Sequence, residues 1–295
     1  MKKVLITGAK GFIGSHLVEF LQRRYRIKAY DVDDLDFRQL ETVSSFLKKE
    51  QFEVIIHTAT WSDTRISSHS DNDVLANNLK MFFNLASCQK DFGKLLYFGS
   101  GAEYGRQSSL KEVKEDYFGK KIPADAYGLS KFIMAQYTLT SLKIFELIPF
   151  AVFGPGEDYR IRFISNAICR QLYNLPITIK KNLVYDYLYI DDLLKIIEWF
   201  IQNEPPEHRY NLCSGHPYDL LSLAKLVQKT GKSQKEIKIF KKGWGAEYSG
   251  SNEKLQKLIP NLRFTSMEEA ISLLYRWYQN HQNLIKKDEL FVDSK

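Results

Sequence analysis

Residues 3–14, KVLITGAKGFIG, join a short apolar run to a glycine-rich turn, and an amphipathic stretch begins directly afterwards at Ser15. A glycine triplet between a strand and a helix is the setting that the phosphates of a dinucleotide require. Gly8 permits the tight turn, Gly11 lets the backbone approach a pyrophosphate, and Gly14 lets helix and strand pack closely. The free amides and the positive end of the helix dipole then face the anion. This stretch predicts a dinucleotide-binding turn.

Short apolar runs alternate with amphipathic stretches from this turn as far as Phe150. Such alternation predicts an α/β fold: a doubly wound parallel sheet of the Rossmann type, with helices on both faces and ligands at the carboxyl ends of the strands. After Gly154-Pro155-Gly156 the pattern loosens, with a short extended piece expected at 177–179. We expect a Rossmann domain over 1–153 with parts of 180–215, a smaller C-terminal α/β substrate-binding lobe over 154–285, and a frayed polar tail over 286–295.

The composition argues against several other classes of protein. The 42 lysines and arginines are dispersed among 35 acidic residues, so the net charge of +7 indicates a basic surface suited to a diphosphate rather than a nucleic-acid site. The three cysteines are widely spaced, without a CxxC pair, and predict neither a disulfide framework nor a metal site. No stretch reaches the roughly 20 apolar residues of a membrane helix. We expect a soluble, cytoplasmic protein without nucleic-acid or membrane partners.

A second pattern, Tyr127-Gly128-Leu129-Ser130-Lys131, lies on a helix predicted over 127–142. The spacing of four residues places phenol and ammonium on the same face, one turn apart. A nearby cation favours the phenolate of a tyrosine, whose ordinary pKa is about 10, so the pair can exchange a proton with an alcohol or ketone near neutral pH. Together with the glycine turn, this pair predicts redox catalysis with a nicotinamide cofactor.

The chain resembles the extended short-chain dehydrogenase/reductases, the NAD-dependent epimerase/dehydratase family that acts on nucleotide sugars. The segments that carry the resemblance span most of the chain: 7–14, 98–105 (FGSGAEYG), 127–131, 153–156 (FGPG) and 185–192 (YDYLYIDD). The resemblance implies that Ser100 hydrogen-bonds the reacting sugar oxygen, that Tyr127 exchanges the proton, and that Lys131 also holds the nicotinamide ribose. It implies a homodimer as well, paired through the helices predicted over 77–91 and 127–142.

The cofactor is expected to be NAD(P)(H), with NAD favoured over NADP. Asp31 ends the second predicted strand, where a carboxylate accepts hydrogen bonds from the adenosine ribose and repels a 2′-phosphate. The resemblance implies that Asp36 contacts the adenine amino group and that Ala59 lies beneath the ribose. The full set of expected cofactor-binding residues is Gly8, Gly11, Phe12, Ile13, Gly14, Asp31, Asp36, Phe37, Ala59, Tyr127 and Lys131. Against NAD, an extra phosphate could be neutralised by Lys10, Arg23, Arg24 and Arg38.

Two positions after Ser100 discriminate among the reactions of the family. Sugar 4,6-dehydratases that resemble this chain carry an acid-base pair there, where this chain has Gly101 and Ala102. Glu103 is displaced by one residue, and on an extended segment it turns to the opposite side. A cysteine acid, typical of epimerase-reductases similar to fucose synthase, is absent from position 102. Reduction or epimerisation at C4 remains, since each needs only Ser, Tyr, Lys and the cofactor.

We expect reduction of a nucleotide-linked 4-keto-6-deoxyhexose, because the short connection from Asp31 to Asp36 resembles that of compact sugar-nucleotide reductases. A nucleotide-sugar 4-epimerase is the alternative. A non-catalytic NAD(P)-binding sensor or scaffold is a further alternative, although such proteins typically lose the Tyr or the Lys.

The substrate pose departs from the family pattern. Many relatives have Asn where this chain has Ala151, and Arg where it has Tyr185; those residues commonly touch the sugar and the diphosphate. Other cations of the second lobe are therefore candidates for the diphosphate, because guanidinium and ammonium groups match phosphate oxygens. These candidates are Arg160, Arg162 and Lys180.

Overall fold

Strands and helices alternate through the chain, of which the computed structural model describes residues 1–62 and 69–294. The strands in these ranges are β1 (Lys3–Thr7), β2 (Arg26–Tyr30), β3 (Phe52–His57), β4 (Phe92–Phe98), β5 (Leu110–Val113), β6 (Ile144–Pro149), β7 (Ala151–Phe153), β8 (Ile177–Tyr189), β9 (Arg209–Leu212), β10 (Pro217–Asp219) and β11 (Ile237–Gly250). The α-helices are α1 (Phe12–Leu21), α2 (Leu40–Glu50), α3 (Asp71–Ser87), α4 (Ala126–Thr138), α5 (Phe163–Leu172), α6 (Ile190–Gln202), α7 (Leu220–Gly231), α8 (Glu253–Leu258) and α9 (Met267–Asn280).

Six of these strands form a parallel sheet in the order β2-β1-β3-β4-β6-β9. On β1, Val4 and Ile6 belong to one core layer and Leu5 to the other, because successive side chains of a strand point to opposite faces. The chain winds outward in both directions from β1, so a crevice opens at the carboxyl end of this strand. The predicted doubly wound Rossmann sheet is confirmed.

A second sheet, in the order β10-β8-β11-β5, belongs to the smaller lobe. The sequence predicts only a short extended piece at 177–179, whereas β8 continues to Tyr189 and pairs in parallel with β11. β11 has no counterpart among the predicted elements, because residues 238–244 are all exposed and lysines and glycines interrupt any alternation. The apolar face that a sequence pattern needs is therefore missing from most of β11.

Helices α3 and α4 pack against each other beside the first sheet, where Asn78 Nδ2 donates to Ser130 Oγ at 3.3 Å. α3 begins at residue 71 rather than at the predicted 77, because Ser70 caps it and accepts a hydrogen bond from the Asp73 amide. α4 ends at Thr138, four residues before the predicted 142.

The segment after α9 is packed against the lobe, so the prediction of a frayed tail is wrong for its first half. Leu290 is fully buried, and Arg170 Nη1 donates to its carbonyl oxygen at 2.6 Å. Tyr159 Oη donates to Glu289 Oε2 at 3.0 Å. The polar composition of residues 286–295 does not predict this packing, because Leu290 is the one fully buried apolar residue described there. Among the helices of the described ranges, none has the length and apolar character that crossing a bilayer requires.

Candidate active site

The glycine turn between β1 and α1 is built so that side chains cannot fill it. Gly8 has a φ of +69°, and a Cβ there would lie 2.7 Å from the Ala59 Cα. A Cβ on Gly14 would overlap the Gly8 carbonyl oxygen. Gly11 caps α1 without a side-chain hydrogen bond, and the first turn of α1 holds no acidic residue. The amides at this helix end are therefore free for an anion, which fits the pyrophosphate of a dinucleotide.

Two carboxylates lie at the end of β2, where the adenosine half of a dinucleotide is expected. Asp31 accepts hydrogen bonds from the backbone amides of Lys10, at 3.0 Å, and Val32, at 2.8 Å. Asp36 pairs with both Arg38 Nε, at 2.8 Å, and Arg38 Nη2, at 2.9 Å, and this hydrogen-bonded pair lowers the pKa of the Asp36 carboxyl. Asp31 is fixed by backbone amides, whereas Asp36 is already engaged by a guanidinium.

A cleft of about 1390 Å³ runs from the glycine turn to the second lobe. Its wall contains most of the residues predicted to bind cofactor or substrate: Gly8, Gly11, Phe12, Ile13, Gly14, Asp31, Asp36, Phe37, Ala59, Ser100, Tyr127, Arg162 and Lys180. Lys131 and Arg160 are not part of this wall. The cleft therefore brings together residues from 8 to 180, drawn from both lobes.

Ser100 and Tyr127 meet at the wall of the cleft, with Lys131 behind them. Ser100 follows β4 and caps a 3₁₀ turn over Gly101–Tyr104, accepting a hydrogen bond from the Ala102 amide at 3.2 Å. Burial raises the pKa of the Tyr127 phenol, and the Ser100 hydroxyl of the same cleft wall acts to lower it. Lys131 Nζ lies 5.6 Å from the centre of the Tyr127 ring and donates to the Phe98 carbonyl at 2.8 Å.

Burial and nearby charges shift the pKa values of Lys131 and Tyr127. Burial lowers the pKa of Lys131 to about 8, an effect that Glu146 and Glu103 partly oppose. Burial raises the pKa of Tyr127, while Arg106 and Arg162 act to lower it. A phenol near two guanidinium groups and a buried lysine whose pKa is lowered is suited to proton transfer.

Glu103, which the sequence predicts to turn away from the reacting sugar, is fully buried and is not part of the cleft wall. Arg209 Nη2 pairs with Glu103 Oε1, and Arg209 Nε pairs with Glu146 Oε2 at 2.6 Å. The other oxygens, Glu103 Oε2 and Glu146 Oε1, both lie against Gly99 and have no other hydrogen-bond donor within the described ranges. A proton shared between the two carboxyls satisfies both, and burial followed by the Glu146 charge raises the pKa of Glu103.

The three cations proposed for the diphosphate separate into two groups. Arg162 and Lys180 face the cleft. Arg160 instead pairs with Asp158, through Nε at 2.8 Å and Nη2 at 2.8 Å, and is not part of the wall. Lys181, next along β8, also faces the cleft. The part of the cleft wall that belongs to the second lobe therefore offers a diphosphate three cations, of which two were predicted.

The side chains of the cleft wall that were not predicted include three with an ionisable group near the lobe boundary: Arg106, Glu157 and Tyr248. The Arg106 guanidinium lies 5.8 Å from the centre of the Tyr127 ring and is held by Asp125, the N-cap of α4. Glu157 accepts from Ser165 Oγ at 2.6 Å, and burial raises its pKa to about 8. Tyr248 comes from β11. Arg106 and Glu157 directly follow the Tyr-Gly and Gly-Pro-Gly motifs, which could have marked them, whereas nothing marks Tyr248 because its strand was not predicted.

Comparison with known proteins assigns the family. The model of the NAD dependent epimerase/dehydratase family matches residues 4–213, and this chain belongs to that family. One curated relative, an ADP-L-glycero-D-manno-heptose-6-epimerase from Cupriavidus pinatubonensis, is 26% identical over 263 residues, which are 77% of this chain and 77% of the relative. The predicted family is confirmed, and with it the class: an NAD(P)-dependent enzyme of the nucleotide-sugar reductase and epimerase type.

Solved structures with low sequence identity share the whole fold. A GDP-mannoheptose C4 reductase from Campylobacter jejuni, with NADP bound, superposes with a TM-score of 0.82 at 19% identity, over 94% of this chain and 98% of that chain. The Bordetella bronchiseptica enzyme WbmG, in complex with NAD and UDP, gives a TM-score of 0.82 at 18% identity, over 94% of each chain. At this identity the likeness establishes the fold, and both forms of the cofactor occur among these neighbours.

Proposed function

We propose that this protein uses NAD(P)H to reduce the 4-keto group of a nucleotide-linked 6-deoxyhexose, with Ser100, Tyr127 and Lys131 as catalytic residues. The observation that carries the proposal is that Ser100 and Tyr127 lie in the wall of one continuous cleft with the glycine turn. The relatives support the substrate class, because one is an epimerase of an ADP-linked sugar and another is a C4 reductase of a GDP-linked sugar.

Residues of this chain would bind the cofactor and donate the proton that the reduction needs. The glycine turn fits the cofactor pyrophosphate because a Cβ would fill it, and Asp31 suits the adenosine ribose. When bound, NAD(P)H supplies the hydride that reduces C4 of the sugar. Tyr127 Oη gives its proton to the C4 oxygen, and Ser100 Oγ hydrogen-bonds the same oxygen to direct it. The charges of Arg106 and Arg162 then stabilise the phenolate that remains.

The segment after Ser100 favours simple reduction over dehydration or epimerisation through an enediol. Those reactions need an acid or base next to the carbonyl carbon, and Ala102 has none. Glu103 is fully buried against Arg209 and is not part of the cleft wall. Arg162, Lys180 and Lys181 would hold the diphosphate, since they are cations of the cleft wall in the second lobe.

The test measures oxidation of NADH or NADPH, by loss of absorbance, with a panel of nucleotide-linked 4-keto-6-deoxy sugars. The wild type is expected to turn over at least one of them, and Tyr127→Phe to lose about 10²–10⁴-fold in kcat because the proton donor is gone. Tyr137→Phe is the matched control, since this tyrosine lies on the same helix, accepts from Gln89 and is outside the cleft wall. Equal losses in both variants would contradict the assignment of Tyr127.

The second candidate is a nucleotide-sugar 4-epimerase, which the curated epimerase relative favours. Oxidation, rotation of the sugar and re-reduction require the same Ser100, Tyr127 and Lys131. An epimerase interconverts two nucleotide sugars with no net cofactor oxidation, so chromatography of the products separates the two activities. Absence of both cofactor oxidation and sugar interconversion would support the remaining alternative, an NAD(P)-binding sensor or scaffold.

We propose NAD rather than NADP as the preferred cofactor, because the Asp31 carboxylate at the end of β2 would accept hydrogen bonds from the adenosine ribose and would repel a 2′-phosphate. Arg38 does not offset this, since its guanidinium is engaged by Asp36. Fluorescence titration with NADH and NADPH tests the preference, and Asp31→Asn is expected to weaken NADH binding more than NADPH binding.

We also propose a homodimer formed through α3 and α4, and a cytoplasmic location. The helix pair lies on one face of the first sheet and suits pairing across a two-fold axis into a four-helix bundle. The free thiols of Cys88, Cys169 and Cys213 suit a reducing compartment. Light scattering that gives a monomer mass at working concentration would contradict the dimer.

A further inference from the structure

The substrate half of the cleft contains an aromatic patch, formed by the rings of Phe150, Tyr185, Tyr187 and Tyr248, which all line the cleft. The centre of the Tyr248 ring lies 5.1 Å from that of Phe150 and 6.0 Å from that of Tyr185. The centres of the Tyr185 and Tyr187 rings lie 5.7 Å apart. The four rings therefore form one continuous surface.

Strand pairing fixes the tyrosines of the aromatic patch. Tyr185 of β8 is paired with Tyr248 of β11, and Tyr187 is paired with Ala151 of β7. Because successive side chains of a strand point to opposite faces, Tyr185 and Tyr187 lie on the same face of β8. All three tyrosines are partly exposed. Rings that are already held in place lose little conformational freedom when a ligand binds to them.

The aromatic patch begins at the reaction centre. A Cβ added at Gly101 would lie 2.6 Å from the Tyr248 hydroxyl and 2.8 Å from Phe150 Cε1. Gly101 directly follows Ser100, the residue proposed to bind the reacting sugar oxygen. The part of the substrate that reaches these rings is therefore the reacting sugar. The nucleobase lies farther away, because the diphosphate separates it from the sugar.

The cleft face of β8 changes from basic to aromatic along the strand. Its alternate residues Lys181, Leu183, Tyr185 and Tyr187 all line the cleft. At a rise of about 3.3 Å per residue, Lys181 and Tyr185 lie about 13 Å apart along the strand. A nucleotide sugar carries its diphosphate on C1, across the ring from C4. A substrate that lies along β8 thus places its ring on the tyrosines and its diphosphate towards Lys181.

We propose that the aromatic patch binds the reacting sugar by stacking against a C–H face of its ring, with Tyr185 at the centre of the contact. The face of an aromatic ring is electronegative and attracts the weakly positive hydrogens of such C–H groups. This inference rests on the proposed function, because it takes the occupant to be the sugar on which Ser100 and Tyr127 act. The patch contributes affinity and orientation, and it exchanges no proton.

The kinetic test compares Tyr185→Leu, which removes the ring, with Tyr185→Phe, which keeps the ring and removes only the hydroxyl. We expect KM of the reduced sugar to rise about tenfold in Tyr185→Leu, the size expected for one stacked ring, with kcat within about threefold of the wild type. Tyr185→Phe should keep KM within about threefold, because the ring makes the contact. Equal rises of KM in the two variants, or no rise in either, would overturn the inference.

Tyr137→Leu is the matched control. Tyr137 is also partly exposed and also contacts two aromatic rings, with its ring centre 6.0 Å from that of Phe82 and 5.4 Å from that of Phe83. It lies outside the cleft wall. The control is expected to retain the wild-type KM. A rise of KM equal to that of Tyr185→Leu would show a general loss of packing and overturn the inference.

A binding measurement without turnover separates failure of this inference from failure of the proposed function. The probes are ADP-glucose, GDP-mannose and UDP-glucose, each compared with its free nucleoside diphosphate by calorimetry. The sugar is expected to increase the affinity of at least one nucleotide for the wild type and for Tyr185→Phe. In Tyr185→Leu about tenfold of this increase should be lost.

Saturation transfer by NMR identifies the part of the probe that contacts the tyrosine rings. Saturation of these rings is expected to reach the C–H protons of the sugar more strongly than those of the nucleobase. Transfer to the nucleobase alone, or equal sugar affinities in wild type and Tyr185→Leu, would overturn the inference even if the enzyme reduces sugars. Sugar binding that needs the Tyr185 ring, without turnover of any keto sugar, would overturn the proposed function and support the aromatic patch.

Discussion

Lys131 and Arg209 are both buried cations near the Ser100 segment, at 3% and 5% exposure. They differ in whether acidic groups compensate their charge. Arg209 is paired with two carboxyls that share one proton and so carry one negative charge, and although burial opposes it, Glu146 and Glu103 raise the pKa of its guanidinium. Lys131 has no salt bridge within the described ranges, and burial lowers its pKa to about 8. A buried charge with full compensation is structural, whereas one left under-compensated is available for chemistry.

The comparison predicts the largest effect for Lys131→Met, a loss of about 10³-fold in kcat/KM, because the cation beside Tyr127 is removed. Stability should rise, by roughly 1–3 kcal/mol at pH 7, since an ionised buried lysine is removed. The folded pKa of Lys131 is depressed, so its favourable contribution exists above its ordinary pKa and is lost as pH falls through about 8. Urea midpoints at pH 7 and above pH 10 test this. A variant less stable than wild type at pH 7 would contradict the statement that the buried charge of Lys131 is under-compensated.

Arg209→Met should do the reverse and cost about 3–5 kcal/mol of stability, because the buried negative charge shared by Glu103 and Glu146 loses its counter-charge. Chemical denaturation gives the free energy of unfolding. Arg24→Met is the matched control, since the Arg24 side chain is 45% exposed where it pairs with Glu198, and a loss of less than about 1 kcal/mol is expected. Losses of similar size in both variants would show that Arg209 is an ordinary ion pair.

The smallest effect is expected for Glu103→Gln, within about 1 kcal/mol near neutral pH, because the amide replaces a carboxyl that already holds the shared proton. The folded pKa of Glu103 is raised, so its stabilising contribution is present below its ordinary pKa and is lost as pH rises through the folded value. The variant should therefore gain stability relative to wild type as pH increases from 5 to 9 in urea titrations. A loss of several kcal/mol at pH 7 would mean that Glu103 is ionised there.

The parts of the site that sequence reasoning placed in the cleft are those set by local geometry. The glycine turn needs positive φ at Gly8 and no side chain at Gly14, and both demands are visible in a stretch of a few residues. Tyr127 and Lys131 share a helix face because of their spacing alone. Arg160 and Arg162 are two residues apart and chemically alike, and the pairing of Arg160 with Asp158 separates them.

The sequence by itself determined the α/β class, the dinucleotide turn and the tyrosine-lysine pair, since each follows from periodicity or spacing within one element. Only the tertiary structure decided that Glu103 meets an arginine 106 residues later in the chain, and that a largely exposed strand carries Tyr248 into the cleft wall. Contacts between distant segments depend on which faces are buried together. That outcome is a property of the packed sheets, and no single stretch of sequence contains it.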